Sequence, residues 1–78
     1  MYKLHADING QLKLLQECAS PETLKSTAKM HSFRQKDKTI KYIITYKTGL
    51  VMYQSRPLQS WRMRWKTPKY IQILEAYA

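Results

Sequence analysis

A chain of 78 residues has room for one hydrophobic core and no second. Its 44% hydrophobic and 12% aromatic content, with only two Gly and three Pro, excludes a disordered or low-complexity tail, and its one cysteine excludes an internal disulfide. Fourteen Lys and Arg against five Asp and Glu leave a formal charge of +9, which predicts a strongly positive surface on a small body. No apolar run approaches the roughly 20 residues of a membrane helix, and no secretory leader can be drawn. These features predict a soluble, cytoplasmic protein held by its core in a reducing compartment.

In the first 20 residues Lys3 and Lys13 cancel Asp7 and Glu17, so the whole excess of charge lies downstream. Tyr2, Leu4, Ala6 and Ile8 alternate with Lys3, His5 and Asp7, which predicts a strand over residues 1–7 with the histidine on its polar side. Residues 11–19 are mostly good helix formers, with Asn9 as a cap and Leu12, Leu15 and Ala19 on one stripe, and a helix is preferred there. A rival reading keeps a strand, with Asn9, Gly10 and Gln11 as a three-residue hairpin loop that pairs Ile8 with Leu12 and Ala6 with Leu14. Ser20, Pro21 and Glu22 then announce a second short helix as cap, first helical residue and dipole-facing acid. Leu24, Ala28 and His31 fall on its inner face, Phe33 is expected to tuck under the core, and residues 34–38 read as a charged, solvated loop.

From Thr39 the pattern turns to β. Ile40, Tyr42, Ile44 and Tyr46 alternate with Lys41, Ile43 and Thr45, and Lys47, Thr48 and Gly49 form a tight loop before a return strand that begins at Leu50. Residues 60–67 predict a third strand with Trp61, Met63 and Trp65 on one face and Arg62, Arg64 and Lys66 on the other. Thr67 and Pro68 repeat the cap-plus-proline signal before a C-terminal helix over 69–77. The expected order is β-α-α-β-β-β-α. The fold class is α+β: one small domain over residues 1–78, an antiparallel sheet of three to four strands with two or three short helices on one face.

Most catalytic classes find no support in the residues. The five acids are scattered over cap and loop positions, Gly10 and Gly49 stand alone, and Cys18, His5 and His31 lack paired metal-ligand spacing, so no metal or cofactor is expected. Cys18 reads as a small buried hydrophobe, His5 as a solvated side chain and His31 as a helix-end residue favoured by the dipole. The signal that remains is the basic row of the last strand. Arg62, Arg64 and Lys66 project together at a repeat of about 6.5–7 Å, a spacing able to follow a phosphate backbone. Lys41 on the neighbouring hairpin and Arg34, Lys36 and Lys38 in the loop before it extend the candidate surface, with Arg56 and Lys69 at its edges. Trp61 and Trp65 read as core residues rather than base-stacking platforms, whereas Tyr42 and Tyr53 read as surface aromatics.

The expected element order resembles that of small ribosome-dependent RNA-cleaving toxins of toxin-antitoxin systems. Residues 39–77, three strands and a helix, are similar in order to the arm-site DNA-binding domains of phage integrases. Both likenesses are of element order alone and imply no residue's role. The leading expectation is a non-enzymatic module that binds DNA or RNA through phosphates. A protein-interaction module or inhibitor, phage- or plasmid-encoded, that covers an acidic or nucleic-acid-binding surface is the alternative, and a small RNase of toxin type is the third.

Overall fold

The computed structural model describes residues 1–37, 39–55 and 65–68. Alternating side chains place Tyr2–Ile8 in the first strand, β1, which turns at Asn9 and Gly10 into β2, Gln11–Cys18. The two turn residues have φ of 53° and 80°. A two-residue hairpin whose twist matches its strands needs positive φ at both positions, and Asn followed by Gly supplies them at least steric cost. The helix expected over 11–19 is therefore a strand. The rival hairpin was correct in kind and wrong in register: the loop has two residues, and Ile8 pairs with Gln11, Asp7 with Leu12 and Ala6 with Lys13.

The ladder slips once. Leu4 pairs with Gln16 but His5 with Leu14, which leaves Leu15 as an extra residue in β2. Such a β-bulge reverses the side-chain alternation. Leu12 and Leu14 share the side of Asp7 and His5, whereas Gln16 and Cys18 share the side of Leu4 and Tyr2. The spacing of Leu12 and Leu15 that imitates a helical stripe results from this change of phase.

Pro21–Arg34 forms α1, one helix of 14 residues where a short one was expected. Ser20 is extended at the cap position and Pro21 opens the helix, but the Ser20 hydroxyl caps nothing, and the Leu24 N–H instead donates to the Ser20 carbonyl at 3.4 Å. Leu24, Ala28 and Ser32 are buried at four-residue spacing and define the face laid on the sheet. Phe33 lies about 180° round the helix from Leu24, which is why it is 54% exposed and not under the core.

The second hairpin matches its sequence. β3 spans Lys41–Tyr46, a 3-10 turn spans Lys47–Gly49 with Gly49 at φ 78°, and β4 spans Leu50–Ser55. A second slip, between Ile44 and Thr45, leaves Met52 unopposed. Trp65–Lys66, here β5, pairs with Gln54 and Ser55. The sheet is antiparallel and five-stranded in the order β2-β1-β3-β4-β5, and α1 is the one α-helix among the described residues. The α+β class stands, with more strands and fewer helices than expected. The order β-β-α-β-β-β lacks the second-place helix on which the likeness to RNA-cleaving toxins depended. Arg56, Trp61, Met63 and the helix expected over 69–77 lie outside the described residues. No described helix is long and apolar enough to cross a membrane.

Leu4, Ala6, Leu24, Ala28, Ile40, Tyr42 and Ile44 form the core between α1 and the sheet, bordered by Leu15, Cys18, Tyr53 and Trp65. Tyr42, expected at the surface, is part of that core because it shares the face of Ile44. The opposite face is also closed at its centre, where His5, Ile43, Thr45 and Val51 are buried. His5, expected in solvent, is 0% exposed.

The bulge makes neighbouring leucines unequal, since Leu14 is 47% exposed while Leu15 packs on the core. Leu15→Ala should cost about 1–2 kcal/mol and Leu14→Ala less than about 0.5 kcal/mol in urea denaturation. The reverse ranking would contradict the register.

Candidate nucleic-acid interface

The expected contact residues fall into separate groups. Lys41 opens β3 opposite Asp7 in the ladder. Lys66 stands opposite Gln54, which in turn pairs with Ile43. Paired residues share a face, so Lys41 and Lys66 both belong to the face turned away from α1. Two inter-strand spacings, about 10 Å, and one side-chain repeat, about 7 Å, separate them. The burial of His5, Ile43, Thr45 and Val51 means that this face is no open platform. Lys66 is exposed and Lys41 half-buried at its margin.

Arg34 belongs to the other layer. It ends α1, Gln35 closes the helix by donating its N–H to the Ser32 carbonyl at 3.2 Å, and Lys36 follows in the connection to β3. Arg34 and Lys36 are exposed. Sheet and helix thus divide the cations, with Arg34 and Lys36 at the helix end and Lys41 and Lys66 across the sheet. Lys38, Arg62 and Arg64 lie outside the described residues, as does Lys69.

Two of the acids, Glu17 and Glu22, are engaged away from Arg34 and Lys36. Glu17 lies 3.9 Å from Lys3, and Glu22 lies 3.3 Å from Lys25. Lys25 also sits 4.1 Å over the ring of Tyr53. Asp37 Oδ1 accepts the Thr39 N–H at 2.8 Å and the Thr39 hydroxyl, a side-chain turn that holds its carboxyl below the usual carboxylate range. Surface ion pairs contribute little to stability, and Asp37, held in its ionised form, keeps a negative charge one residue from Lys36.

Both histidines are hydrogen-bonded within the fold. His5 Nε2 lies 2.9 Å from Thr45 Oγ1 inside the sheet, and burial, aided by the charge of Lys3, pushes its pKa below the ordinary value. His31 Nδ1 lies 2.7 Å from the Tyr42 hydroxyl, with the rings edge to face at 5.6 Å. Burial, then the charge of Arg34, lowers the pKa of His31. Burial raises the pKa of Tyr42, opposed by a hydrogen bond with Ser32. His31 thus clamps α1 to β3, and His5 is closed to any substrate. Among the described residues no three His, Cys, Asp or Glu side chains gather as a metal site requires.

One feature escaped the sequence reading. Met30 and Phe33, each 54% exposed, stand one turn apart on the outer side of α1, next to Lys29 and Arg34. The signal was present, since the phase of Leu24 and Ala28 already turns residue 33 outward. Comparison with protein-family models, with curated proteins and with solved structures gives no match.

The lowered pKa values of both histidines tie stability to pH. The unfolded chain takes up protons near pH 6.5, whereas the folded chain does so only at lower pH, so the histidine contribution is complete above about 6.5 and is lost as pH falls below it. Urea denaturation between pH 7.5 and 5 should give a falling unfolding free energy, and His5→Gln should flatten the profile. A flat wild-type profile would contradict the assignment.

Proposed function

We propose that this protein is a small basic nucleic-acid-binding module, non-enzymatic, that contacts phosphates through Arg34, Lys36, Lys38, Lys41, Arg62, Arg64 and Lys66. The observation that carries the reading is the net charge of +9 on 78 residues. Uncompensated cations concentrate counter-anions around a small body, and a polyphosphate releases its own counterions when it replaces them. Such binding tolerates the division of the cations between the helix end and the far side of the sheet, because a nucleic acid is long enough to cross an edge of so small a domain. Binding is favoured over cleavage by the histidines: His5 is closed off and His31 Nδ1 is committed to Tyr42.

If about five phosphates are neutralised, the logarithm of affinity for a duplex should fall with the logarithm of salt at a slope near −4 to −5. Titration of labelled duplex and single strand at several salt concentrations measures it. Arg34→Glu and Lys36→Glu should each weaken binding and reduce the slope, with little change in melting temperature because both side chains are exposed. Absence of binding to either probe at low salt would overturn the reading.

A further inference from the structure

The tip of the β1–β2 hairpin carries two residues whose mutual reactivity the fold holds in check. Asn9 is the only asparagine of the chain, and glycine follows it. Both residues are exposed, and a Cβ added at Gly10 would meet nothing within 4 Å, so the turn projects into solvent. An asparagine carboxamide can be attacked by the main-chain nitrogen that follows it, and when that nitrogen belongs to glycine no side chain hinders the approach. The Gly10 nitrogen loses its proton to water as the N–Cγ bond to Asn9 forms, the Cγ–Nδ2 bond breaks and ammonia leaves. Water then opens the five-membered imide at one carbonyl or the other, which gives aspartate or isoaspartate.

The closed turn forbids the first step. The φ values of 53° at Asn9 and 80° at Gly10 are those of a mirror-image type I turn, whose first central residue has ψ of about 30°. Ring closure needs the Gly10 nitrogen to eclipse Cβ about the Cα–C bond of Asn9, whereas at that ψ an L residue holds the two nearly trans. Ile8 and Gln11, paired on either side of the turn, keep the main chain in this shape. The nitrogen can swing toward Cγ only when the hairpin opens.

We infer that Asn9 is a self-modification site gated by the fold: it deamidates only while the β1–β2 hairpin is open, and the isoaspartate product stops the hairpin from closing again. The two products differ in what they do to the turn. Aspartate followed by glycine suits the same two-residue loop. Isoaspartate carries the main chain through Cβ and adds one backbone atom to a loop that must close in two residues. Among the described strands β2 pairs with β1 alone, so a turn that cannot close frees its one ladder from the tip. Either product adds a carboxylate and lowers the net charge of +9 by one. The inference does not depend on the nucleic-acid reading.

The test incubates the full chain at neutral pH, folded and in urea, resolves acidic species by cation exchange and locates the change by peptide mapping. In urea Asn9 should convert to both products, and in the folded protein the rate should be lower by about tenfold or more, the protection that a local opening equilibrium confers. Asn9→Gly keeps a pair that suits the turn and should form no acidic species. The purified isoaspartate form should melt below wild type, whereas Asn9→Asp should melt with it. Equal rates folded and in urea overturn the gate. No conversion of Asn9 in urea, or acidic species that persist in Asn9→Gly, overturns the site. An isoaspartate form that melts as wild type does overturns the block on closure.

Discussion

Three consecutive residues of β1, Leu4, His5 and Ala6, are withdrawn from water altogether, and everything else in the molecule accommodates that. A strand sends successive side chains to opposite faces, so the sheet must be covered on both. On the helix side Leu24, Ala28, Tyr42 and Ile44 meet Leu4 and Ala6. On the other side an imidazole shares the interior with Ile43, Thr45 and Val51. Burial disfavours the charged imidazolium there, and the nearby Lys3 adds to this, so the pKa of His5 is lowered. The same burial expels the lysines: Lys41 and Lys66 share this face, and each is found at its margin.

The hairpin over residues 41–55 was legible because local preference and tertiary role agree. Alternating β-branched and aromatic residues flank a loop whose Gly49 is needed at positive φ. The start of α1 was legible for a similar reason, although Pro21 rather than the Ser20 hydroxyl marks it. β2 was misread because one extra residue, Leu15, breaks the two-residue period on which strand recognition relies. His5 was misplaced because polarity was taken for exposure, whereas an imidazole with one partner across the sheet can be buried. At the candidate site, the amount of charge could be read and its arrangement could not. Arg34 and Lys36 are near Lys41 in sequence, yet a helix end and a sheet face separate them.

α1 is where packing and electrostatics meet. Its inner face is set by Leu24, Ala28 and Ser32, and the His31–Tyr42 hydrogen bond fixes its rotation over β3. With the rotation fixed, Phe33 and Met30 have no route inward, and Arg34 stands beside them. The Thr27 hydroxyl, bonded to Gln16 Oε1, ties the same helix to β2. Two polar clamps thus hold the helix against β2 and β3, on either side of β1, and its outer side is presented in one orientation.

The bulge at Leu15 has a further consequence, for the behaviour of the protein in a crowded solution. Among the described residues β2 lies at the end of the sheet order, and an end strand carries a row of backbone donors and acceptors along its outer side. An unbroken row of that kind is a template for another chain's strand and a starting point for fibrils. Here the slip divides it into stretches of 11–14 and 16–18, each shorter than an ordinary strand, and Lys13 places a charge on the longer one. An arriving strand could satisfy only a few hydrogen bonds before falling out of register. The irregularity that disguises β2 as a helix in the sequence is thereby also the kind of feature that blunts a sheet edge against strand addition.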